Sequence, residues 1–557
     1  VVAVIDPDVH NMTDYERERA AFNPEVPEHF NFAVDVVDRW AQDRNRVGMV
    51  WVGTENRTRT LTFHDFSWGS NRAANVFRRH RVDKGDRVLV VASRIPEWWE
   101  ALLGLMKVGA VAAPGTTQLT GRDMKYRLEL CKAKVAIVDV ENAAKLMTVR
   151  DQCPGLETIF VIGGDVEGCI RYEAETAQAS RNFEPERTRA DDDMLLYFTS
   201  GTTGYPKMVL HSHASYGIGH AITGKYWLDL QPTDLHWTLS DTGWAKAAWG
   251  CLFGPWSQGA ALFIQDVPGR FDPVLTLETL QNFGVTTFCA PPTAYRLLVL
   301  EDLSKYDLSD LRHCVGAGEP LNPEVIDAWK AGTGKLIRDG YGQTETVLLI
   351  GNFPPLEVRP GSMGKPSPGF EVAVIDEDCN ACEPGVEGDI AVRISPKRPI
   401  GLFREYWNDP EATKNSLRGD WYITGDRAYT DGDGYFWFVG RADDVIISAG
   451  YRIGPFEVES ALLEHPAVVE AAVVASPDPV RGEVVKAFVV IGKEFEASER
   501  LAQELQDHVK NVTAPYKYPR EVEFVTELPK TISGKIRRIE LRQREAERKR
   551  NPAAFRV

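Results

Sequence analysis

YFTSGTTGYPK, Tyr197 to Lys207, carries an apolar strand into a loop of small hydroxylated and glycine residues that ends in proline and lysine. The run Met194–Phe198 is the strand. Gly201 and Gly204 let the backbone approach a phosphate closely and tolerate positive φ. Thr199, Ser200, Thr202 and Thr203 offer hydroxyl donors beside the backbone N–H groups, and Lys207 supplies positive charge. In chemical terms this is a polyphosphate cradle. So dense a run of small residues between a strand and a Pro-Lys step is not an ordinary flexible turn.

Working outward, short apolar runs alternate with amphipathic segments over the first two thirds of the chain. Val88–Ala92, Val135–Val138 and Thr158–Ile162 read as buried strands, and the segments Pro96–Val108 and Gly121–Cys131 have helical spacing. Such alternation predicts layered, largely parallel α/β structure. From about Gly369 the texture shifts to strands with Gly-rich turns, among them Phe370–Ile375 and Gly388–Ile394, which predicts an antiparallel or barrel-like unit. The sharpest break comes at 431–450. There a turn cluster (Asp431–Gly434), an aromatic strand (Tyr435–Val439) and a polar link (Gly440–Asp444) precede a compact α/β pattern. Its expected elements are a helix at 456–464, strands at 469–475 and 484–491, a helix at 497–511 and a strand at 521–526. The chain is therefore divided into 1–442 and 443–557, joined near Asp443.

At 557 residues more than one core is expected. The formal charge, 64 minus 80 or −16, argues against a general nucleic-acid or membrane-surface binder. An anionic ligand must then be held by local cations or N–H clusters. No stretch approaches the roughly 20 apolar residues of a membrane helix, so no membrane insertion is expected. The first residues lack the pattern of a secretory signal, and a start other than Met is consistent with a trimmed chain. Eight sparse cysteines read as reduced thiols of a cytoplasmic protein. Cys379 and Cys382 form a C-x-x-C in a polar turn, without the second pair of a zinc site or the helix start of a redox site. His211 and His213 lack a third metal ligand nearby, which favours a structural or pocket-lining role.

The phosphate loop is not a Walker A motif. Around Gly334-Lys335, Trp329 stands where the first glycine belongs and Leu336 replaces the hydroxyl residue. GAGEPL, Gly316–Leu321, lacks the third glycine of a dinucleotide fingerprint. Taken in order, however, YFTSGTTGYPK, GAGEPL, YGQTE (Tyr341–Glu345), YITGD (Tyr422–Asp426), GRADDVIISAGYRIGPFEVE (Gly440–Glu459) and PKTISGKIRR (Pro529–Arg538) resemble the motifs of adenylate-forming enzymes. Those comprise acyl-CoA synthetases, peptide-synthetase adenylation domains and firefly-type luciferases. WTLSDTGWAKAAWG (Trp237–Gly250) is most similar to the medium-chain acyl-CoA synthetases.

The resemblance implies the α/β adenylate-forming fold. A large layered N-terminal domain with a barrel-like subdomain is joined to a small mobile α+β C-terminal domain. It implies an acid–thiol ligase using ATP, Mg²⁺ and coenzyme A, with a non-CoA acceptor as the alternative. Monomer and homodimer both remain open. By the same resemblance, Thr199–Lys207 holds the β- and γ-phosphates. Glu345 holds Mg²⁺, directly or through water. Gly318, Glu319, Pro320 and Tyr341 enclose the adenine, with Thr344 beside the nucleotide. Asp426 accepts the ribose hydroxyls, Arg441 lies close to it, and Arg452 approaches the phosphates. Lys535 is the catalytic lysine of the small domain, Asp443 the hinge, and Gly450 lines the path of the CoA arm. Acetyl-CoA synthetases carry a tryptophan where this chain has Gly342, which implies room for a longer acid. Trp244, Trp249 and Trp227 are candidate walls, while Trp256 lies beyond an expected Gly254-Pro255 turn. Lys246 either faces the acyl pocket or reaches to the surface.

Overall fold

The computed structural model describes residues 9–199, 206–269, 271–448, 451–479, 481–530 and 535–550. Three sheets organise it. The first has eight strands. Val111–Pro114, Arg87–Val91, Val135–Asp139 and Thr158–Ile162 run parallel at its centre, and Asp193–Thr199 joins them edge-on. Their burial is nearly continuous, as expected for parallel strands covered on both faces. The helix Pro96–Val108 starts with proline in its first turn and stops at Gly109 in the left-handed region. The helix Gly121–Cys131 opens with a reciprocal cap between Thr120 and Asp123.

The second sheet has fourteen strands. Its parallel half runs from Val47–Val52 to Ile337–Gly342 by way of Ala261–Gln265, Leu235–Thr238, Thr287–Ala290 and His313–Ala317. Beyond Gly342 every pairing is antiparallel, out to Val372–Ile375. The change of texture seen near Gly369 is this second half. GAGEPL therefore leaves the end of one central strand, and YGQTE leaves the end of its neighbour.

The third sheet lies wholly after residue 445. Val468–Asp478 and Gly482–Ile491 form a long antiparallel pair, to which Glu521–Phe524 adds in parallel. The helices Pro455–Leu463, Glu499–Val512 and Arg538–Arg550 accompany it. Its core is a separate cluster around Ile446, Val473 and Leu505. Buried Lys486 sits between Glu523 and Glu545, which ties the last helix to this sheet.

One local expectation is corrected. Gly254-Pro255 is not a turn but lies inside a continuous helical run, in which Gly254–Ser257 follows directly on Trp249–Phe253. The Cys251 carbonyl, four residues before Pro255 and so without an N–H from it, accepts from the Trp99 indole at 2.6 Å instead. Trp256 is fully buried against Phe63 and Phe66, in the core of the N-terminal layers.

Candidate functional site

The strand Asp193–Thr199 pairs antiparallel with Lys207–Ser212, and Thr199 stands opposite Lys207. This register sets the two flanks of the phosphate loop side by side. Ser200, Gly201, Thr202, Thr203 and Gly204 lie outside the described residues, as does Gly450. The short strand Glu405–Tyr406 adds to the other edge of Lys207–Ser212. It brings the Tyr406 ring to 4.6 Å from the Lys207 Nζ, while the Tyr406 hydroxyl donates to Glu345 Oε1 at 2.9 Å. One tyrosine thus joins the flank of the phosphate loop to the carboxylate of YGQTE.

Asp426 lies at the heart of a polar network. The Tyr341 hydroxyl and the Gln343 Nε2 each donate to its Oδ2 at 2.6 Å, and Arg441 Nε stands 3.5 Å from Oδ1. Burial raises the Asp426 pKa, while Arg441 and the two hydrogen bonds oppose the rise. Burial likewise raises Glu345, with Tyr406 opposing it. Burial alone would lower Arg441, but Asp426 and Asp443 override it and raise it. Arg441 Nε lies 3.7 Å from Asp443 Oδ1.

The third wall is GAGEPL. Gly318 has φ +114°, which only glycine adopts without strain, and it turns the chain at the sheet's end. Glu319 accepts from Arg296 Nη2 at 2.9 Å and from the Thr293 N–H at 3.0 Å, so its carboxylate is held from behind. Lys246 does not reach to the surface. Its Nζ donates to the Ala317 carbonyl at 3.1 Å, 6.0 Å from the Trp249 ring. Burial lowers its pKa, and Lys535 lowers it further.

Lys535 comes from the far end of the chain, yet it faces this same cleft. The surrounding protein disfavours its charge and lowers its pKa; Glu319, Asp426 and Glu345 favour it, while Arg441 opposes it. The residue is nonetheless exposed to solvent. Arg452 lies on the strand Tyr451–Ile453.

Of the tryptophans, Trp227 is fully buried and donates its indole N–H to the Asp339 carbonyl at 3.2 Å, so it is core rather than pocket wall. Trp244 and Trp249 are partly exposed beside Lys246. A Cβ on Gly342 would meet the Val347 carbonyl oxygen at 2.7 Å, so any side chain there must push on backbone. His211 is structural. Its Nε2 donates to the Thr344 carbonyl at 2.7 Å, and burial depresses it to about 3, which keeps it neutral. The Tyr216 hydroxyl donates to the same carbonyl at 3.1 Å. Cys379 and Cys382 are free thiols, and among the described residues no cluster of His, Cys, Asp or Glu could hold a metal by itself.

Sequence reasoning misses Gln343, Tyr406 and Arg296. Gln343 lies inside YGQTE and is within its reach. Tyr406 and Arg296 carry no local signal, since only strand pairing and helix packing bring them to the cleft.

The profile of the AMP-binding enzyme family matches residues 36–407, and that of the AMP-binding enzyme C-terminal domain matches 457–535. Mitochondrial acyl-coenzyme A synthetase ACSM3 of Mus musculus is 48% identical over 545 residues, 96% of this chain and 94% of the relative. Mitochondrial acyl-coenzyme A synthetase ACSM4 of Homo sapiens is 47% identical, over 96% and 93%. Among solved structures, the anthranilate CoA ligase AuaEII in complex with anthranoyl-AMP superposes with a TM-score of 0.87 at 33% identity. It covers 94% of this chain and 99% of its own. The two curated relatives are mitochondrial, which overturns the expectation of a cytoplasmic protein. Sparse reduced thiols mark a reducing compartment, and a mitochondrial interior satisfies that as well as the cytosol does.

Proposed function

The chain belongs to the AMP-binding enzyme family, and from that membership and the geometry of the cleft we infer that it works as an AMP-forming acyl-CoA synthetase. Its substrates are a carboxylic acid, ATP and CoA. In the first step a carboxylate oxygen bonds to the α-phosphorus of ATP, the bond to the β-phosphate oxygen breaks, and pyrophosphate leaves. In the second, the CoA sulfur bonds to the acyl carbon and AMP departs with the oxygen. Both partners in the first step are anions, so the task is charge neutralisation and positioning.

The single observation that carries this reading is convergence. Lys207, Glu345, Asp426 and Lys535 come from four separate segments, and all meet at one cleft. Lys207 and the loop before it hold phosphate charge. Asp426 retains Oδ1 and spare lone pairs for ribose hydroxyls, while Tyr341 and Gln343 fix its plane. Gly318–Pro320 and the Tyr341 ring frame the adenine. Thr344 is pinned behind them by His211. Lys535 supplies a cation where charge develops between carboxylate and phosphate. Mg²⁺ fits the donor set: Glu345 keeps Oε2 for it, and this metal commonly takes one or two carboxylates plus phosphate and water. When bound it neutralises phosphate charge.

For the acid, we place the acyl group beside Lys246, Trp244, Trp249 and Gly342. A glycine at 342 flanked by the partly exposed indoles of Trp244 and Trp249 favours medium-chain, short branched or aromatic acids over acetate. Gly342→Trp is expected to raise the ratio of acetate to octanoate kcat/KM at least about tenfold, since an indole in the pocket excludes the longer tail by contact. Gly342→Ala serves as the control for backbone strain and lowers both acids alike. An unchanged ratio in the tryptophan variant refutes the pocket.

We place the division of domains at Asp443, with the small domain used in two orientations about it. Asp443→Pro is expected to leave adenylate formation intact and to slow transfer to CoA about tenfold or more, because proline fixes φ at a hinge that must turn. Equal loss in both steps counts against the hinge.

The deciding assay is pyrophosphate release with Mg-ATP and CoA across acids from acetate to laurate, with branched and aromatic members. A maximum at intermediate acids with AMP and acyl-CoA as products supports the reading. Acid-dependent pyrophosphate without a thioester moves it to a non-CoA acceptor, and no acid dependence removes it.

A further inference from the structure

Asn322 stands at the N-cap of the helix Pro323–Thr333, where an asparagine ordinarily accepts from its own helix. Here it makes no such bond, although it is buried to 2% exposure. Its amide is committed sideways. Arg296 Nη1 donates to Asn322 Oδ1 at 3.2 Å, and Asn322 Nδ2 donates to Ser460 Oγ at 3.0 Å. The orientation of the amide follows from the chemistry. Arginine has no acceptor, so the oxygen must face Arg296 and the NH₂ must face Ser460. Arg296 is the same guanidinium that holds Glu319 of GAGEPL. Ser460 belongs to the helix Pro455–Leu463 of the small unit, beside Glu459, which binds Arg538 through both oxygens. Arg538 lies three residues after Lys535. A polar chain therefore runs from the adenine motif across the seam between the units to Ser460, and the residue before it on the same helix, Glu459, holds Arg538 of the segment that bears the lysine.

The same helix makes a second close approach at its N-terminus. A Cβ on Gly454 would lie 2.3 Å from the Val439 carbonyl oxygen, which is backbone and cannot swing aside. Phe456 meets Phe438 edge-on at 6.3 Å on the strand Phe436–Arg441. The glycine is what lets the helix seat on that strand.

We propose that the Asn322–Ser460 hydrogen bond and the Gly454 seat form a docking latch, which positions the small domain for adenylate formation and releases when it turns for thioester formation. These are positioning residues, since none touches substrate. The proposal rests on the two-orientation reading given above. Because the latch reaches Glu319 through Arg296, an occupied nucleotide site and a docked small domain favour each other.

The test separates the half-reactions in the full-length enzyme. Adenylate formation is read by octanoate-dependent ATP–pyrophosphate exchange, and thioester formation by acyl-CoA made from CoA and chemically prepared octanoyl-adenylate. Ser460→Ala is expected to slow exchange about three- to tenfold, the worth of one hydrogen bond, and to leave the thioester step unchanged. Ser460→Thr, which keeps the hydroxyl, restores exchange. Gly454→Ala gives the same split with a larger loss. Equal loss in both steps, or no loss of exchange in Ser460→Ala, overturns the latch. Asp443→Pro, run alongside, tells which reading is at fault. If it splits the half-reactions the opposite way while Ser460→Ala does not split them, the latch alone is wrong. If Asp443→Pro does not split them, the two-orientation reading falls and the latch with it.

Discussion

Lys535→Ala is expected to slow acyl-adenylate formation by about a hundred- to thousandfold, the usual loss when one preorganised charge-stabilising donor is removed, while acyl-CoA formation from supplied acyl-adenylate persists. The cause is local. The cleft gathers three carboxylates, from Glu319, Glu345 and Asp426, and Lys535 responds to all three. With two anionic reactants added, the loss of one cation leaves charge developing on the phosphate without its counterpart. Lys535 lies outside the apolar core of the small domain, so the variant is expected to fold. A pH signature accompanies it. The surrounding protein lowers the Lys535 pKa, so in the free enzyme its charge is lost at a lower pH than that of an ordinary lysine. Wild-type kcat/KM for adenylation therefore falls on the alkaline side as Lys535 deprotonates, and the variant lacks that limb. A variant with ordinary adenylation, or equal loss in both steps, refutes the assignment.

Asp426→Ala is expected to cut kcat/KM for ATP by about a hundredfold or more, since hydrogen bonds to a charged group are worth about 1.5–3 kcal/mol each. It also orphans the Tyr341 hydroxyl and the Gln343 amide, which now donate to Oδ2. Thermal stability should fall as well, because unsatisfied buried donors cost about 1–3 kcal/mol each. Asp426→Asn separates the two effects, because an amide oxygen in the Oδ2 place still accepts from both Tyr341 and Gln343 while the NH₂ in the Oδ1 place cannot accept from the ribose. The cleanest readout is substrate editing. ATP lacking its ribose hydroxyls is expected to be a poor substrate for the wild type and no worse than ATP for the alanine variant. If the wild type and the variant discriminate equally, Asp426 does not hold the ribose.

The latch and the catalytic lysine bear on the same question from opposite sides. In the proposed mechanism Lys535 acts only while the small domain is seated, and Arg538 links its segment to the helix that Asn322 holds. Arg542 extends the link, with Asp444 Oδ1 at 2.7 Å and a bond to the Asp443 carbonyl. On the proposed reading, Asp443, the Gly454 seat and the lysine segment are joined through one pair of helices, so that small-domain orientation would act as a single cooperative variable.

The chain is legible wherever a function is carried by contiguous residues. The phosphate loop stands out because a strand, a run of small residues and a lysine are consecutive. The helices Pro96–Val108 and Gly121–Cys131 are legible because periodicity and caps are local. YGQTE, YITGD and the lysine motif are legible as a family pattern, although nothing in their spacing brings them together. Where the structure and the relatives depart from the sequence expectations, the reasons are equally physical. Gly254-Pro255 reads as a turn because Gly and Pro usually punctuate, yet the helical run continues through it, and the Cys251 carbonyl that lacks a Pro255 N–H takes the Trp99 indole instead. The cysteines indicate a reducing environment, but not which compartment provides it.

By itself, then, the sequence determined the α/β class, the order of the motifs and the chemical character of each candidate residue, since these depend on neighbours along the chain. Only the tertiary structure decided that Tyr406 bridges Lys207 and Glu345, that Gln343 and Tyr341 fix Asp426, that Lys246 turns inward, and that Asn322 reaches across to Ser460. Such partners lie tens to hundreds of residues apart. Their meeting depends on strand register and helix packing, which hydrophobic burial sets globally and no local pattern records.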